Sequence, residues 1–106
     1  MNHLRWSKTE KQIAKKAFEK AYGREYAELA KEIRSKAEKI TEPSDIWRLQ
    51  YLLNKRVKEI GNKYDYRYSV LILVLARLMK DGWLNFDDLR GLNQEKIDRI
   101  TTLLSL

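Results

Sequence analysis

Residues 7–40 read SKTEKQIAKKAFEKAYGREYAELAKEIRSKAEKI, and this stretch decides the fold. Ser7-Lys8-Thr9-Glu10 is a capping box: the Ser7 hydroxyl can accept from the Glu10 amide while the Glu10 carboxylate reaches back. Trp6, just before it, is placed to pack on the first turn as a staple. Apolar residues then recur at Ile13, Ala17, Ala21 or Tyr22, Tyr26, Leu29, Ile33, Ala37 and Ile40. Steps of three or four set them on one stripe of a single helix. Gly23 weakens its middle by about 1 kcal/mol without breaking it.

At the α-helical rise, such a helix is about 50 Å long. A compact globule of this chain length has a radius of gyration near 13 Å, hence a diameter of about 35 Å. The helix must project beyond its own domain, and an apolar stripe on a projecting helix needs a partner. A second copy of the chain is the simplest one, so the expected state is an extended homodimer.

Working outward, Thr41-Glu42-Pro43-Ser44-Asp45 is a break and a restart, because Pro43 cannot continue the first helix and Thr41 or Ser44 can cap the next. The second helix, residues 44–61, carries Ile46, Leu49, Leu53, Val57 and Ile60 on one stripe. Trp47, Tyr51 and Leu52 widen that stripe beyond what one core contact requires, and Gly61-Asn62 supplies the stop. Asp65 can cap a third helix ending at Gly82; Val70 to Met79 is apolar nearly all round, as a central buried helix would be. So β-branched a run also fits a strand, but helical neighbours and Gly82 favour helix. Asn85 can cap a short helix ending at Gly91, and Asn93 a last one carrying Ile97, Ile100 and Leu104. The fold class is all-α, in one domain over residues 1–106. A long helix and a dimer or partner helix are followed by a smaller helical head over residues 65–106.

Composition excludes several functions. The 106 residues hold 22 Lys+Arg against 15 Asp+Glu, a net charge of +7, with no cysteine and one histidine. Disulfides, thiolate metal sites and thiol catalysis are out. His3 sits at a terminus expected to fray, so histidine catalysis and a zinc site are disfavoured. The longest apolar run, Val70 to Ala76, is far short of the ~20 residues of a membrane span. The first residues lack the apolar stretch of a signal peptide, which points to a cytoplasmic protein.

The acidic groupings read as structural. Asp87-Asp88 opens a short helix, where acids favour the dipole. Glu28 and Glu32 share a face with Lys31 and Lys36 in reach, a solvated ion-pair pattern. Nothing resembles a phosphate loop, a nucleophile elbow or a metal-spaced cluster. No enzyme is expected, and no catalytic residue, metal or cofactor. Residues 1–40 hold 11 basic and 6 acidic groups, with Lys8, Lys11, Lys15, Lys16 and Lys20 on the opening turns. Such a stripe could meet phosphates, but interspersed glutamates and the absence of a recognition motif favour a solvated face. A membrane surface is allowed and not required. Trp47 beside Arg48, Gln50 and Tyr51 is the composition that protein-binding hot spots use. Tyr64, Tyr66 and Tyr68 flank the next loop and read as core.

The chain resembles the fluorescence recovery protein family of cyanobacteria. The resemblance rests on Trp6-Ser7, Phe18-Glu19-Lys20-Ala21-Tyr22 with Arg24-Glu25, Ile40-Thr41, and Asp45-Ile46-Trp47-Arg48-Leu49. It continues through Lys63-Tyr64-Asp65, Arg67, and Ser69-Val70 leading to Ala76, Leu78, Lys80 and Gly82, without gaps over nearly the whole chain. It implies a long helical dimer with a helical head. The implied client is the orange carotenoid protein opened by light, engaged through its C-terminal domain and hastened back to its closed orange form. Energy quenching at the phycobilisome would thereby end.

Carried over residue by residue, Trp47 matches the family tryptophan of the binding surface, and Ile46 and Leu49 match its apolar dimer neighbours. Leu73 stands where the head has a phenylalanine, and Arg99 where it has a lysine. The resemblance thus implies partner binding by Trp47, Arg48, Gln50, Tyr51, Leu73 and Arg99, and dimerisation by Ile46, Leu49, Tyr51, Leu53 and Val57. Three positions depart from the family. Gln50 and Tyr51 replace a His-Asp pair, and Val57 replaces the arginine that answers that aspartate across the dimer. A buried ion pair exchanged for an apolar Tyr51–Val57 contact can be neutral or stabilising. Two other readings stay open: the same scaffold serving an unrelated client in signalling or stress response, and a nucleic-acid binder using the basic first helix.

Overall fold

The computed structural model describes residues 4–106; His3 lies outside them. Among the described residues there are no strands. The elements are α1 (Lys8–Glu38), α2 (Pro43–Lys63), α3 (Leu71–Lys80), a 3-10 turn (Phe86–Leu89) and α4 (Gln94–Leu104). The fold is all-α, as the periodicity predicts. It is also elongated: its extents are 53 × 26 × 26 Å and its radius of gyration is 17.0 Å, against about 13 Å for a compact chain of this length.

The capping box forms as expected. Ser7 Oγ accepts from the Glu10 amide, and Glu10 Oε1 accepts from the Ser7 amide, both at 3.1 Å. From there α1 runs unbroken through Gly23 to Glu38. Its first half belongs to a head and its second half to a stalk. In the head, Ala14, Ala17 and Ala21 are fully buried and receive Leu71, Leu75, Leu78, Leu89 and Ile100. Small residues on α1 let the leucines of other elements approach closely. Beyond Ala21, no residue of α1 is buried. The stripe continues in sequence but is only partly covered: Leu29 and Ile33 are half-buried, and Tyr22 and Tyr26 are exposed.

Several boundaries differ from the sequence expectation. α2 begins at Pro43 with Glu42 as its N-cap residue, not Thr41 or Ser44. The Asp45 carboxylate accepts from the amides of Thr41 (3.1 Å) and Glu42 (3.2 Å), which does the capping from inside the first turn. α2 also continues through Gly61-Asn62 to Lys63, because Lys63 finds a buried partner that rewards the extra half-turn. Asp65 does not cap the third helix. Its carboxylate is taken by Arg67, and the chain makes a turn over residues 68–70 before α3 starts at Leu71.

α3 ends as expected. Gly82, at φ +88°, closes it with the Gly82 amide on Met79 O (3.0 Å) and the Trp83 amide on Leu78 O (2.8 Å), the Schellman arrangement. The short helix over residues 85–91 is a 3-10 turn capped by Asn85, and Asn93 caps α4 through the Lys96 amide.

Two polar ties fix the head. Arg24 of α1 grips Asp88 through both oxygens (2.8 and 3.2 Å) and also donates to Trp83 O (2.9 Å). The pairing with Arg24, together with the Asn85 amide, holds the Asp88 carboxyl below its usual range against the opposing effect of burial. The second tie is Lys96, essentially inaccessible. Its ammonium lies 3.1 Å from Glu10 Oε1, donates to Arg5 O and sits over the Trp6 ring. Trp6 therefore anchors the chain entry to α4, a longer-range role than the staple expected of it. Burial alone would raise the Glu10 carboxyl, but the Asn93 and Ser7 amides and the Lys96 ammonium outweigh it and hold the pKa at about 2.

Candidate protein-binding surface

α2 is amphipathic in sequence, yet among the described residues none of its apolar side chains is fully buried. Trp47 (65% exposed), Tyr51 (72%) and Val57 (64%) stand open to solvent, with Ile46 and Leu53 also exposed. Apolar exposure on this scale, contiguous along one helix, marks an interaction surface rather than scattered surface residues.

The α-helical repeat divides these residues into two edges. Ile46, Leu53 and Val57 fall near one line, flanking the half-buried Leu49 and Ile60 that face α1. Trp47 and Tyr51, one turn apart, form a second line on the outer side. The dimer residues Ile46, Leu53 and Val57 and the Trp47 residues expected from sequence are thus neighbours on one helix but present different edges, while Tyr51, expected in both groups, falls on the Trp47 edge. Leu49 is the exception among them. It is half-buried and lines a hollow at the stalk tip with Leu52, Lys36, Lys39, Asp45 and Arg48. Arg48 is not a free cation; it pairs with Asp45 at 3.2 Å. Gln50 is exposed between the two edges.

Leu73 and Arg99 lie in the head. Leu73 is the exposed apolar residue of an otherwise largely buried α3, at 57%, with Arg77 and Lys80 also exposed, so the expectation of a helix buried all round holds except on this face. Arg99 is half-buried on α4 and pairs with Glu95 at 3.2 Å. From Trp47 to the end of α2 at the head, the helical rise gives about 24 Å. Within one chain the two groups of expected partner residues are therefore separate patches, one on the stalk and one on the head.

The sequence pattern puts Tyr26, and Tyr22 as the alternative to Ala21, on the apolar stripe of α1 without showing which part of that stripe is left open, and both are exposed. They line an open apolar groove between α1 and α2 with Leu29, Val57, Ile60 and Tyr64. An available signal was size. The buried stripe of α1 is alanine, whereas the next two positions are tyrosine.

Between stalk and head runs a ladder of edge-on aromatic rings. Tyr22 meets Tyr64 at 5.2 Å, Tyr64 meets Phe18 at 5.2 Å, Phe18 meets Tyr66 at 4.9 Å and Tyr66 meets Tyr68 at 5.7 Å. Tyr64 and Tyr66 are half-buried bracing and Tyr68 is exposed, so the three are not the core expected of them. Burial, with Tyr68 alongside, pushes the Tyr66 phenol up to about 12.

The carboxylates are engaged in structure. Asp88 holds Arg24, Asp65 holds Arg67, Glu28 pairs with Lys31 at 3.4 Å, and Glu32 pairs with Arg56 of α2 at 2.9 Å rather than with Lys36. Among the described residues no group of three or more His, Asp or Glu side chains could hold a metal ion. No helix there is long and apolar enough to cross a membrane.

Comparison with known proteins places this architecture. The family model described as photoprotection regulator fluorescence recovery protein matches residues 6–104. The fluorescence recovery protein of Synechocystis sp. PCC 6803 is 39% identical over 101 residues, covering 95% of this chain and 93% of that protein. The solved structure of the Fremyella diplosiphon fluorescence recovery protein superposes with a TM-score of 0.91 at 46% identity. It covers 96% of this chain and all of the other. The Synechocystis structure gives 0.92 at 38% identity, with the same coverage. A match across head and stalk together, at these identities, leaves no segment of the fold unaccounted for: the chain belongs to the fluorescence recovery protein family of photoprotection regulators.

Proposed function

We propose that this protein is a non-enzymatic regulator that acts as a homodimer. It binds the C-terminal domain of the photoactivated orange carotenoid protein and speeds its return to the orange form, which ends phycobilisome quenching. The observation that carries the reading is the uncovered apolar length of α2, with Trp47, Tyr51 and Val57 all more than half exposed. The edge carrying Ile46, Leu53 and Val57 closes against a second copy, whose Val57 meets Tyr51 at the border of the two edges, and Trp47 remains for the client. Leu73 and Arg99 offer a second contact from the head.

No bond is made or broken in such a role. A protein accelerates a domain reassembly by binding the transition between open and closed states better than either end state. A rigid platform suits that task, and Trp47 with Arg48 and Tyr51 has the composition of a binding hot spot. The site of action is the cytoplasm, at phycobilisomes peripheral to the thylakoid.

Gln50, Tyr51 and Val57 motivate a second reading, in which the same dimer serves another protein client. Binding of the isolated C-terminal domain of the carotenoid protein, followed by titration calorimetry, separates the two. Saturable binding lost in Trp47→Ala supports the first reading; no binding by an intact dimer supports the second. A nucleic-acid role for Lys8, Lys11, Lys15, Lys16 and Lys20 would instead show as affinity for DNA or RNA falling steeply with salt.

A further inference from the structure

α2 is 21 residues long, and among the described residues its single buried side chain is charged: Lys63, in the last position, 8% exposed. Its ammonium lies 2.7 Å from Glu25 Oε2 on α1 and 3.7 Å from Asp81, the C-cap residue of α3. The other oxygen of Glu25 accepts from the Tyr64 hydroxyl at 2.8 Å. Burial, followed by the Glu25 carboxylate, drives the Tyr64 phenol far above its ordinary value, so it remains a donor. One ammonium thus touches three helices at the point where stalk meets head.

A buried ion pair is a poor way to gain stability, since an apolar replacement of both partners is often as stable or more so. What it can supply is direction: a charge with few compensating partners tolerates one arrangement of the elements around it. The other ties of α2 to α1 are the Glu32–Arg56 pair and half-buried apolar side chains, which constrain orientation weakly. We propose that Lys63, held by Glu25 and Asp81, is a positioning residue that sets the angle of α2 to the head, and so fixes the Trp47 edge relative to Leu73 and Arg99. The proposal concerns the protein alone and stands whichever client the surface serves.

The chain has no cysteine, so two can be introduced freely for spin labels. Lys55→Cys on α2 and Gln94→Cys on α4 are exposed positions. Labelled protein is diluted with unlabelled protein so that each dimer carries at most one labelled chain, and the distance distribution is read by pulsed electron resonance. The parent gives one narrow peak. Glu25→Met with Lys63→Met removes both charges together and avoids stranding either; Asp81→Asn is a milder second variant. The expected result is at least a doubling of the peak width in the double variant and a smaller broadening in Asp81→Asn, with helicity and thermal midpoint retained. An unchanged narrow peak in the double variant overturns the proposal. Loss of the head fold in that variant overturns it as well, because the cluster would then be a stability element and not a positioning one.

Discussion

The Lys96 ammonium lies 3.1 Å from Glu10 Oε1, joining the last helix of the chain to the first turn of the first. Glu10 thereby serves twice, as the capping-box acid of α1 and as the counter-ion of an inaccessible lysine. Its pKa of about 2, against an ordinary 4.5, means the folded state favours the ionised form. The stability this contributes is fully present above about pH 4.5 and lost as pH falls towards 2. Thermal midpoints at pH 7, 5, 3 and 2 should therefore drop most steeply below pH 4.5. In Glu10→Ala the drop should be shallower, from a starting point about 3 kcal/mol less stable at pH 7, because the Lys96 charge is left buried without its partner. Parallel pH profiles for parent and variant would contradict the assignment.

Arg24 offers a test of how the head is fastened to α1. Arg24→Lys keeps the charge but cannot grip both Asp88 oxygens and Trp83 O together, since a single ammonium lacks the guanidinium fork. Urea unfolding should show Arg24→Lys and Arg24→Ala destabilised to a similar degree, by about 1–2 kcal/mol given the partial exposure of the arginine. Full rescue by lysine would mean that charge alone matters there.

Two glycines should respond in opposite directions. Gly91 has φ +105°, and a Cβ there would lie 2.6 Å from Ile13 Cδ1. Gly91→Ala should cost about 1–3 kcal/mol. Gly23 is in mid-helix with nothing within 4 Å of an added Cβ, so Gly23→Ala should gain roughly 0.5–1 kcal/mol. Chemical denaturation of the pair checks both signs.

These residues also show what the sequence could and could not disclose. The capping box, the Gly82 stop and the Asn85 and Asn93 caps are local chemistry, and each forms where the pattern puts it. The C-terminal end of α2 has a tertiary cause that periodicity does not carry: Lys63 extends the helix towards Glu25, 38 residues away. Its start and the fate of Asp65 turn on competition between local partners, Asp45 capping Thr41 and Glu42 from inside the first turn and Arg67 taking the Asp65 carboxylate. The stripe on α1 gave the helix but not its burial, since periodicity cannot tell the part that meets the head from the part left open. For the surface itself, Trp47 and its neighbours were legible as composition. That Tyr22 and Tyr26 share a groove with Val57 depends on how α2 folds back on α1.

Tyr51 and Val57 give a further prediction for the proposed dimer. If Tyr51 packs on Val57 of a second copy, Tyr51→Asp should shift sedimentation towards monomer, and Tyr51→Asp with Val57→Arg should restore the dimer through a charge pair. A dimer unaffected by Tyr51→Asp would show that this contact is wrong, leaving Ile46 and Leu53 to carry the interface.

The most direct test of the regulator role is the dark recovery rate of photoactivated orange carotenoid protein, measured with and without this protein and with Trp47→Ala. The expected result is a recovery several-fold faster with the parent and near the unassisted rate with Trp47→Ala, while both proteins sediment as dimers. An intact dimer that leaves the recovery rate unchanged would contradict the role and assign the Trp47 surface to a different client.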